Sequence, residues 1–138
     1  MTARTPHTSI ITDWRVRDEN ELPDVPPGDE YERAIVPQKF IVLHQIVTRG
    51  PSLIRLRVGA VTDVPFELVS FDGDVRRYRP KDLDKQFFDQ LLVKVGVAAV
   101  SANAIAIPPN MEVWLILRND GAVPVKPRAA LIVQEEIS

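Results

Sequence analysis

The sequence contains no cysteine and only two histidines among its 138 residues. Without cysteine, the chain can form neither disulfides nor thiolate metal sites, and it has no cysteine nucleophile. A small secreted scaffold that depends on disulfides is therefore disfavoured. The scarcity of histidine also weighs against a metal enzyme of the cupin type, which needs a cluster of histidines in a comparable β fold.

Long apolar runs and a strong net charge are also missing. No apolar run approaches the ~20 residues that a membrane-spanning helix requires, so we expect no membrane contact. The first residues, MTARTPHTSIITDW, lack the apolar core of a secretion signal. The net charge is −2, so the molecule has no bulk attraction for nucleic acid, which is not expected as a partner.

Proline is abundant by contrast, with twelve residues against six glycines. Proline at this density disfavours long helices and favours short strands separated by turns. The chain length fits one folded domain. We therefore expect an all-β domain over residues 38–138, preceded by an extended N-terminal arm over residues 1–37.

The arm is predicted from its charge and its proline content. Asp18–Arg33 contains seven acidic residues and one basic residue, a net charge of −6. Such a segment buries too little apolar surface to offset the entropy lost on ordering. Ile10, Ile11 and Trp14 are atypical of a solvated tail, and they predict a short strand near residues 9–16 that docks on a neighbouring subunit. A flexible tail is the alternative.

From Phe40 onward, apolar runs of strand length alternate with turn residues. The candidate strands are KFIVLHQIVT, LIRLRVGAV, VPFELVSF, VRRYR, LLVKVGVAAV, NAIAI, EVWLILRN and RAALIVQEE. Asp72–Gly73 predicts a β-hairpin between the third and fourth of them. The one segment that could form a short helix is KDLDKQFFDQLL, which repeats apolar residues every four positions. Seven or eight short strands predict an antiparallel β-sandwich of jelly-roll type.

Two segments show the period of two residues that is typical of a strand with one wet face. In LIRLRV, one face carries Ile54, Leu56 and Val58, and the other carries Arg55 and Arg57. In MEVWLILRN, one face carries Met111, Val113, Leu115 and Leu117, and the other carries Glu112, Trp114, Ile116 and Arg118. Trp114 is predicted to be either an interface residue or the second side of a two-sided core.

Candidate catalytic and metal-binding arrangements are few. His44 lies within a strand, and no nearby serine and carboxylate suggest a hydrolytic triad. Val42 and Ile46 stand where a second metal-binding histidine would be expected. Asp72 and Asp74 flank a glycine and indicate a hairpin turn rather than a calcium loop, which needs more oxygen ligands. We expect no catalytic residue, no metal site, no cofactor and no enzymatic activity.

Basic residues are concentrated between Arg49 and Lys81, where seven of them outnumber four acidic residues for a net charge of +3. Aromatic residues are sparse in this window, which disfavours a platform for single-stranded nucleic acid. The acidic arm carries the complementary charge, so we expect the arm of one copy to reach the basic strands of another. The predicted interface residues are Ile10, Ile11, Trp14, Phe40, Arg76, Arg77, Arg79 and Trp114.

The last third of the chain combines a turn, a loop and two strands within residues 104–136. A PPN turn, an apolar strand ending in Arg-Asn (EVWLILRN), a loop and a closing strand (AALIVQEE) follow one another. This order resembles the β-sandwich accessory proteins of tailed-bacteriophage particles, which are capsid cement or decoration proteins and related head or tail components. Pro124 and Pro127 depart from the pattern, and they predict an edge strand that partners cannot extend there.

The resemblance implies a structural virion protein that stabilises a capsid or a head/tail assembly. Its implied partners are copies of itself, in a homo-oligomer such as a trimer, and a larger capsid or head/tail protein. Its implied location is the virion, after synthesis in the cytoplasm of a bacterial host. Two alternatives stay open, a carbohydrate- or ligand-binding β-sandwich module and a cupin-like metal enzyme.

Overall fold

The computed structural model describes residues 6–12, 22–81, 98–101 and 103–136. Every regular element in these ranges is a β-strand. They are β1 (Pro6–Thr12), β2 (Glu30–Ile35), β3 (Ile41–Arg49), β4 (Ser52–Val58), β5 (Phe66–Asp72), β6 (Val75–Pro80), β7 (Ala98–Ser101), β8 (Ala104–Ile107), β9 (Val113–Arg118) and β10 (Arg128–Glu136). The short helix predicted from KDLDKQFFDQLL falls on residues outside these ranges. In the part of the chain described, no helix is long and apolar enough to cross a membrane.

The strands form two antiparallel sheets that pack together. The larger sheet has seven strands. Five of them follow the order β1-β10-β3-β6-β5, while β8 pairs with β3 and β7 pairs with β8. The smaller sheet has the order β2-β9-β4. The predicted antiparallel β-sandwich is confirmed, whereas the jelly-roll connectivity stays a prediction.

β3 is the strand that joins the larger sheet together. Along one edge it pairs with β10 over most of its length. Along the other edge, Ile41–Leu43 pair with β8 and Ile46–Arg49 pair with β6. Three strands therefore depend on β3 for their place in the sheet.

The core between the sheets consists of aliphatic side chains with one tyrosine. The fully buried ones include Ile35, Ile41, Leu43, Ile46, Leu56, Ile105, Ile107, Leu115, Leu117 and Leu131. In β9, the buried residues alternate with Trp114 and Ile116, which are partly exposed. The alternation predicted for this strand is confirmed, and it places Trp114 on the outer face of the smaller sheet, away from the core.

β4 departs from the strict alternation predicted for it. Leu53, Leu56 and Val58 are buried, whereas Ile54 is partly exposed. The cause is a bulge between Leu53 and Arg55, where the register against β9 shifts. A bulge places two residues opposite one and turns the following side chains to the other face. The prediction that Ile54 shares the buried face is therefore wrong.

Two strands of the predicted N-terminal arm belong to the sheets of the same chain. β1, which contains Ile10 and Ile11, pairs with β10. β2 pairs with β9, and its last residue, Ile35, is fully buried. The sandwich thus includes residues that were predicted to extend away from it. Trp14 lies outside the described residues.

β10 is an interior strand of the larger sheet, since it lies between β1 and β3. Pro124 and Pro127 precede it in the loop that follows β9. Proline at these positions withdraws no hydrogen bond from a sheet, because the strand begins only at Arg128. The prediction of an edge strand at this point is wrong.

The side chain of Asn119 connects the segment before β2 to the loop between β9 and β10 through hydrogen bonds. This side chain is buried, and its Nδ2 donates to the backbone carbonyls of Val25 and Val123, both at 2.8 Å. Its Oδ1 accepts from the backbone N–H of Gly121 at 2.8 Å. A buried amide with these partners fixes the path of both segments.

Candidate functional site

The β5–β6 hairpin presents a group of exposed apolar side chains. Leu68, Val69 and Phe71 of β5 are 53%, 43% and 58% exposed. Among the strands that the structure describes, β5 ends the order of the larger sheet, and an edge strand presents a row of backbone N–H and C=O groups that its own sheet does not use. Apolar side chains and available main-chain groups therefore occur together on this strand. We call these three residues the hairpin surface.

The hairpin surface is exposed because the larger sheet extends past the smaller one. Leu68 lies directly opposite Tyr78 of β6 and shares its sheet face. Tyr78 is buried, and its hydroxyl accepts a hydrogen bond of 3.1 Å from the backbone N–H of Leu53 in β4. Since Leu68 is exposed one strand further out, the cover provided by the smaller sheet ends between β6 and β5.

The turn between β5 and β6 follows the sequence prediction. Asp72 pairs with Val75, which leaves a two-residue loop. Gly73 begins this loop with φ of 62°, a left-handed conformation that glycine adopts without steric cost. A bulge between Leu68 and Ser70 then adjusts the register of β5. The predicted hairpin is confirmed.

Arg76 contacts Phe71, one of the three residues of the hairpin surface. Its guanidinium lies 4.9 Å from the centre of the Phe71 ring. Its Nη1 also donates to the backbone carbonyl of Gly50 at 2.9 Å. A cation over an exposed aromatic ring contributes about 0.5–1 kcal/mol. This contact orients Phe71 while leaving more than half of its surface exposed.

Much of the predicted basic cluster is paired within the chain. The ion pairs are Arg49–Asp74 at 3.5 Å, Arg55–Asp63 at 3.2 Å and Arg79–Glu67 at 2.7 Å. These pairs are solvent-exposed or nearly so, and such pairs contribute little to stability. They nevertheless reduce the positive potential that the composition of this window suggests for an acidic partner.

The outer face of the smaller sheet is a second exposed surface. Its central strand, β9, contributes Trp114 and Ile116, a partly exposed pair that we call the apolar stripe. β4 contributes the exposed Arg55 and Arg57 on one side. β2 contributes the exposed Glu32 on the other side. The apolar stripe therefore lies between a basic and an acidic strand.

The Trp114 side chain is held by its neighbours. Its Nε1 donates to the Oε2 of Glu112 at 2.7 Å. Trp114 pairs with the buried Ala34 of β2 on one side. On the other side, Trp114 pairs with Arg57 of β4. Arg57 in turn donates from Nε to the backbone carbonyl of Gly59 at 2.9 Å. The indole is thus an oriented part of the sheet face.

The residues predicted to form an interface lie on different surfaces. Phe40 is 47% exposed and precedes β3, at the end of that strand away from β6. Arg76, Arg77 and Arg79 lie on β6 of the larger sheet, whereas Trp114 lies on the smaller one. Among these residues, Arg76 contacts the hairpin surface, through the ring of Phe71. The docking predicted for Trp14 concerns residues that the structure does not describe.

Sequence reasoning did not identify the hairpin surface. VPFELVSF has the composition of an ordinary strand, and the sequence does not show which strands end a sheet. The available signal was local: Glu67, Ser70 and Asp72 interrupt the apolar residues and are incompatible with burial on both faces. This pattern indicates partial exposure, but not the absence of a covering sheet.

Two clefts also lie on the surface of the described residues. One, of about 280 Å³, lies between β4 and the start of β5 and includes Ile54, Asp63 and Phe66 in its lining. The other, of about 440 Å³, is lined by His44, Gln45, Arg79, Asn103, Ile132 and Gln134.

His44 lies where the register between β3 and β10 shifts, and its Nε2 is buried without a hydrogen-bond partner. The described residues contain no group of three or more His, Cys, Asp or Glu side chains that could hold a metal ion. His44 therefore belongs to no such group in that part of the chain. A cupin-like centre gains no support from these residues.

Comparisons with known proteins do not assign the chain to a family. No protein family, no curated protein and no solved structure matches it.

Proposed function

We propose that this chain is a structural protein that acts through surface contacts, without making or breaking covalent bonds. It associates with copies of itself and attaches to a larger protein assembly. The observation that carries the proposal is the hairpin surface, where Leu68, Val69 and Phe71 are each exposed on β5 and where Leu68 and Phe71 lie on the same sheet face. Single exposed apolar residues are ordinary on soluble proteins, whereas grouped ones mark interaction sites.

The energetics of association set the size of the contact. Apolar burial contributes about 25 cal/mol per Å², and it must exceed the cost of immobilising two molecules. A specific interface buries roughly 800 Å² on each partner. Three side chains supply only a part of that area, so the hairpin surface would be the centre of a wider contact that includes the β5 edge.

The resemblance of residues 104–136 supports a specific setting for this activity. In that setting the chain is an accessory protein of a tailed-bacteriophage particle, located in the virion. Its larger partner would be a capsid or head/tail protein, and the chain itself would form a homo-oligomer. The setting rests on the order of turn and strands in this segment.

Mass in solution tests the proposal. Light scattering over a range of concentrations should give a mass above that of the monomer for the wild type. Phe71→Ser and Leu68→Ser should lower this mass, because each removes apolar area from the centre of the contact. Val123→Ser is the matched control, since Val123 is 65% exposed but lies in the loop after β9. A wild type that stays monomeric, or hairpin variants that assemble like the control, would contradict the proposal.

A carbohydrate- or ligand-binding module is the second candidate, and the position of Trp114 favours it. An aromatic ring on an open sheet face can stack against an apolar ligand surface. Specific signals on a glycan array from a monomeric protein, lost in Trp114→Ala, would support this candidate over self-association. An absence of glycan signals would remove it.

A further inference from the structure

The outer face of the smaller sheet has charges of opposite sign on its two flanks. β4 presents Arg55 and Arg57, both exposed, on one side of the apolar stripe. β2 presents Glu30 and Glu32, both exposed, on the other side. Arg118, at the end of β9, is also exposed on this face, where it pairs with Glu30 of β2, and its Nε lies 2.8 Å from Oδ1 of Asp120. Apart from this ion pair, the face is divided into a basic flank, an apolar centre and an acidic flank, in the order of its three strands.

The register defines how far apart the opposite charges are. Ile116 pairs with Glu32 on β2 and with Arg55 on β4. Adjacent strands lie about 4.8 Å apart, so the two charged residues are separated by about 10 Å across the stripe. Arg55 has an ion pair with Asp63, but the side chains of both are more than 60% exposed and such a pair contributes little. Arg55 and Glu32 are therefore both available to a partner.

We propose that this face binds the same face of a second copy, in a dimer whose two-fold axis runs parallel to β9. Rotation about such an axis keeps each residue at its level along the strand and exchanges the two flanks. The basic β4 of one copy then lies over the acidic β2 of the other. Arg55 faces Glu32 of the second copy, twice per dimer, and the two apolar stripes face each other. The two copies of Arg118 also face each other beyond the end of the stripes, each in an ion pair with Asp120 of its own chain. This inference rests on the proposed self-association.

The charge pattern selects this axis over the other face-to-face arrangement. A two-fold axis between the sheets but perpendicular to β9 would place β4 over β4 and β2 over β2. Arg55 and Arg57 of both copies would then meet, as would Glu30 and Glu32. Like charges brought together at an interface oppose association. An isologous contact needs a self-complementary patch, and the division into flanks has this property only for the parallel axis.

The size of the face predicts a weak dimer. Three strands of six or seven residues cover an area of roughly 14 by 20 Å, which is less than a specific interface of standard size usually buries. Charges at the rim of such a contact are screened by salt. We therefore expect association that weakens as the salt concentration rises and that strengthens if the hairpin surface adds a second contact.

Charge reversal on each flank tests the geometry. Arg55→Glu alone and Glu32→Arg alone should each weaken self-association at least tenfold, because each places two like-charged contacts in the dimer. A mixture of the two variants should form heterodimers with an affinity close to that of the wild type. In the heterodimer, the native Arg55 and Glu32 face each other at one contact, and the two introduced side chains face each other at the second.

Sedimentation velocity of each variant and of the mixture measures these affinities, with native mass spectrometry to identify heterodimers. Lys39→Glu is the control, since Lys39 is exposed and lies outside the smaller sheet, and it should associate like the wild type. Circular dichroism should show that all variants remain folded. If the single variants associate like the control, or if mixing fails to restore association, the geometry is overturned while self-association stands. A monomeric wild type overturns both.

Discussion

The side-chain amide of Asn119 donates a 2.8 Å hydrogen bond to the backbone carbonyl of Val25, 94 residues earlier in the chain. The two segments also share main-chain bonds, because Gly28 donates to the carbonyl of Asn119 and Asn119 donates to that of Asp29. These contacts fix the approach of the chain to β2. They make the proline-rich stretch before β2 a part of the folded domain.

Asn119→Ala should destabilise the domain by about 1–3 kcal/mol. The substitution leaves the carbonyls of Val25 and Val123 and the N–H of Gly121 without their side-chain partner, in a buried setting. Urea unfolding measures the change. Val123→Ala is the control, because it keeps the backbone carbonyl and alters only an exposed side chain, and it should change stability by less than about 0.5 kcal/mol. Equal stability of the two variants would contradict the role given to Asn119.

Trp114 and Leu115 are adjacent in β9 but lie on opposite faces, so they form a matched pair. Leu115→Ala should cost about 2–5 kcal/mol, because Leu115 is fully buried between the sheets. Trp114→Ala should cost clearly less folding stability and should weaken association instead. Thermal melts and sedimentation of the two variants separate these effects. If Trp114→Ala lost more folding stability than Leu115→Ala, Trp114 would be a core residue instead.

Gly73 tests whether the hairpin depends on its turn conformation. A Cβ at this position would meet nothing within 4 Å, so any cost arises from the backbone φ of 62° alone. Gly73→Val should destabilise the protein by about 1–2 kcal/mol, and Gly73→Asn by less, since asparagine tolerates the left-handed region. Unfolding in urea gives both values. Equal losses of stability in the two variants would contradict the view that the backbone φ of Gly73 causes the cost.

The carboxyl group of Asp120 should make the folding stability of the protein depend on pH. A hydrogen bond with Ser52, and then one with Arg118, lower the pKa of Asp120 below its ordinary value. A carboxyl group with a lowered pKa in the folded state stabilises the protein above its unfolded pKa, and this stabilisation is lost as the pH falls through the folded value. The wild type should therefore exceed Asp120→Asn in stability near neutral pH, and the difference should shrink in acid. A difference that is independent of pH would contradict this linkage.

The strands that could be predicted from sequence are those with clear local patterns. β9 has the period of two residues, and β10 matches RAALIVQEE over its whole length. The β5–β6 hairpin was indicated by its Asp72–Gly73 turn. These features depend on neighbours in sequence, so composition and spacing are enough to reveal them.

The features that could not be predicted depend on pairing between strands that lie far apart in the sequence. Ile54 is displaced from the core by a bulge against β9, and no residue of β4 signals that bulge. The inclusion of β2 depends on its pairing with β9, whereas its own sequence is as polar as the segment before it. The exposure of Phe71 depends on the width of the smaller sheet. Sheet order is a property of the whole chain, which explains why the hairpin surface was found only in the structure, whereas the period of β9 already placed Trp114 and Ile116 on one face.

The central position of β3 has a consequence for synthesis on the ribosome. Both hairpins that flank it, β5–β6 and β7–β8, can form from nearby residues soon after they emerge. β3 pairs along its other edge with β10, which emerges much later. Until then an apolar strand has one unprotected edge, and such edges recruit other chains. The nascent polypeptide is therefore most prone to aggregate while β10 is still being translated, and efficient production should depend on how rapidly that last stretch is completed.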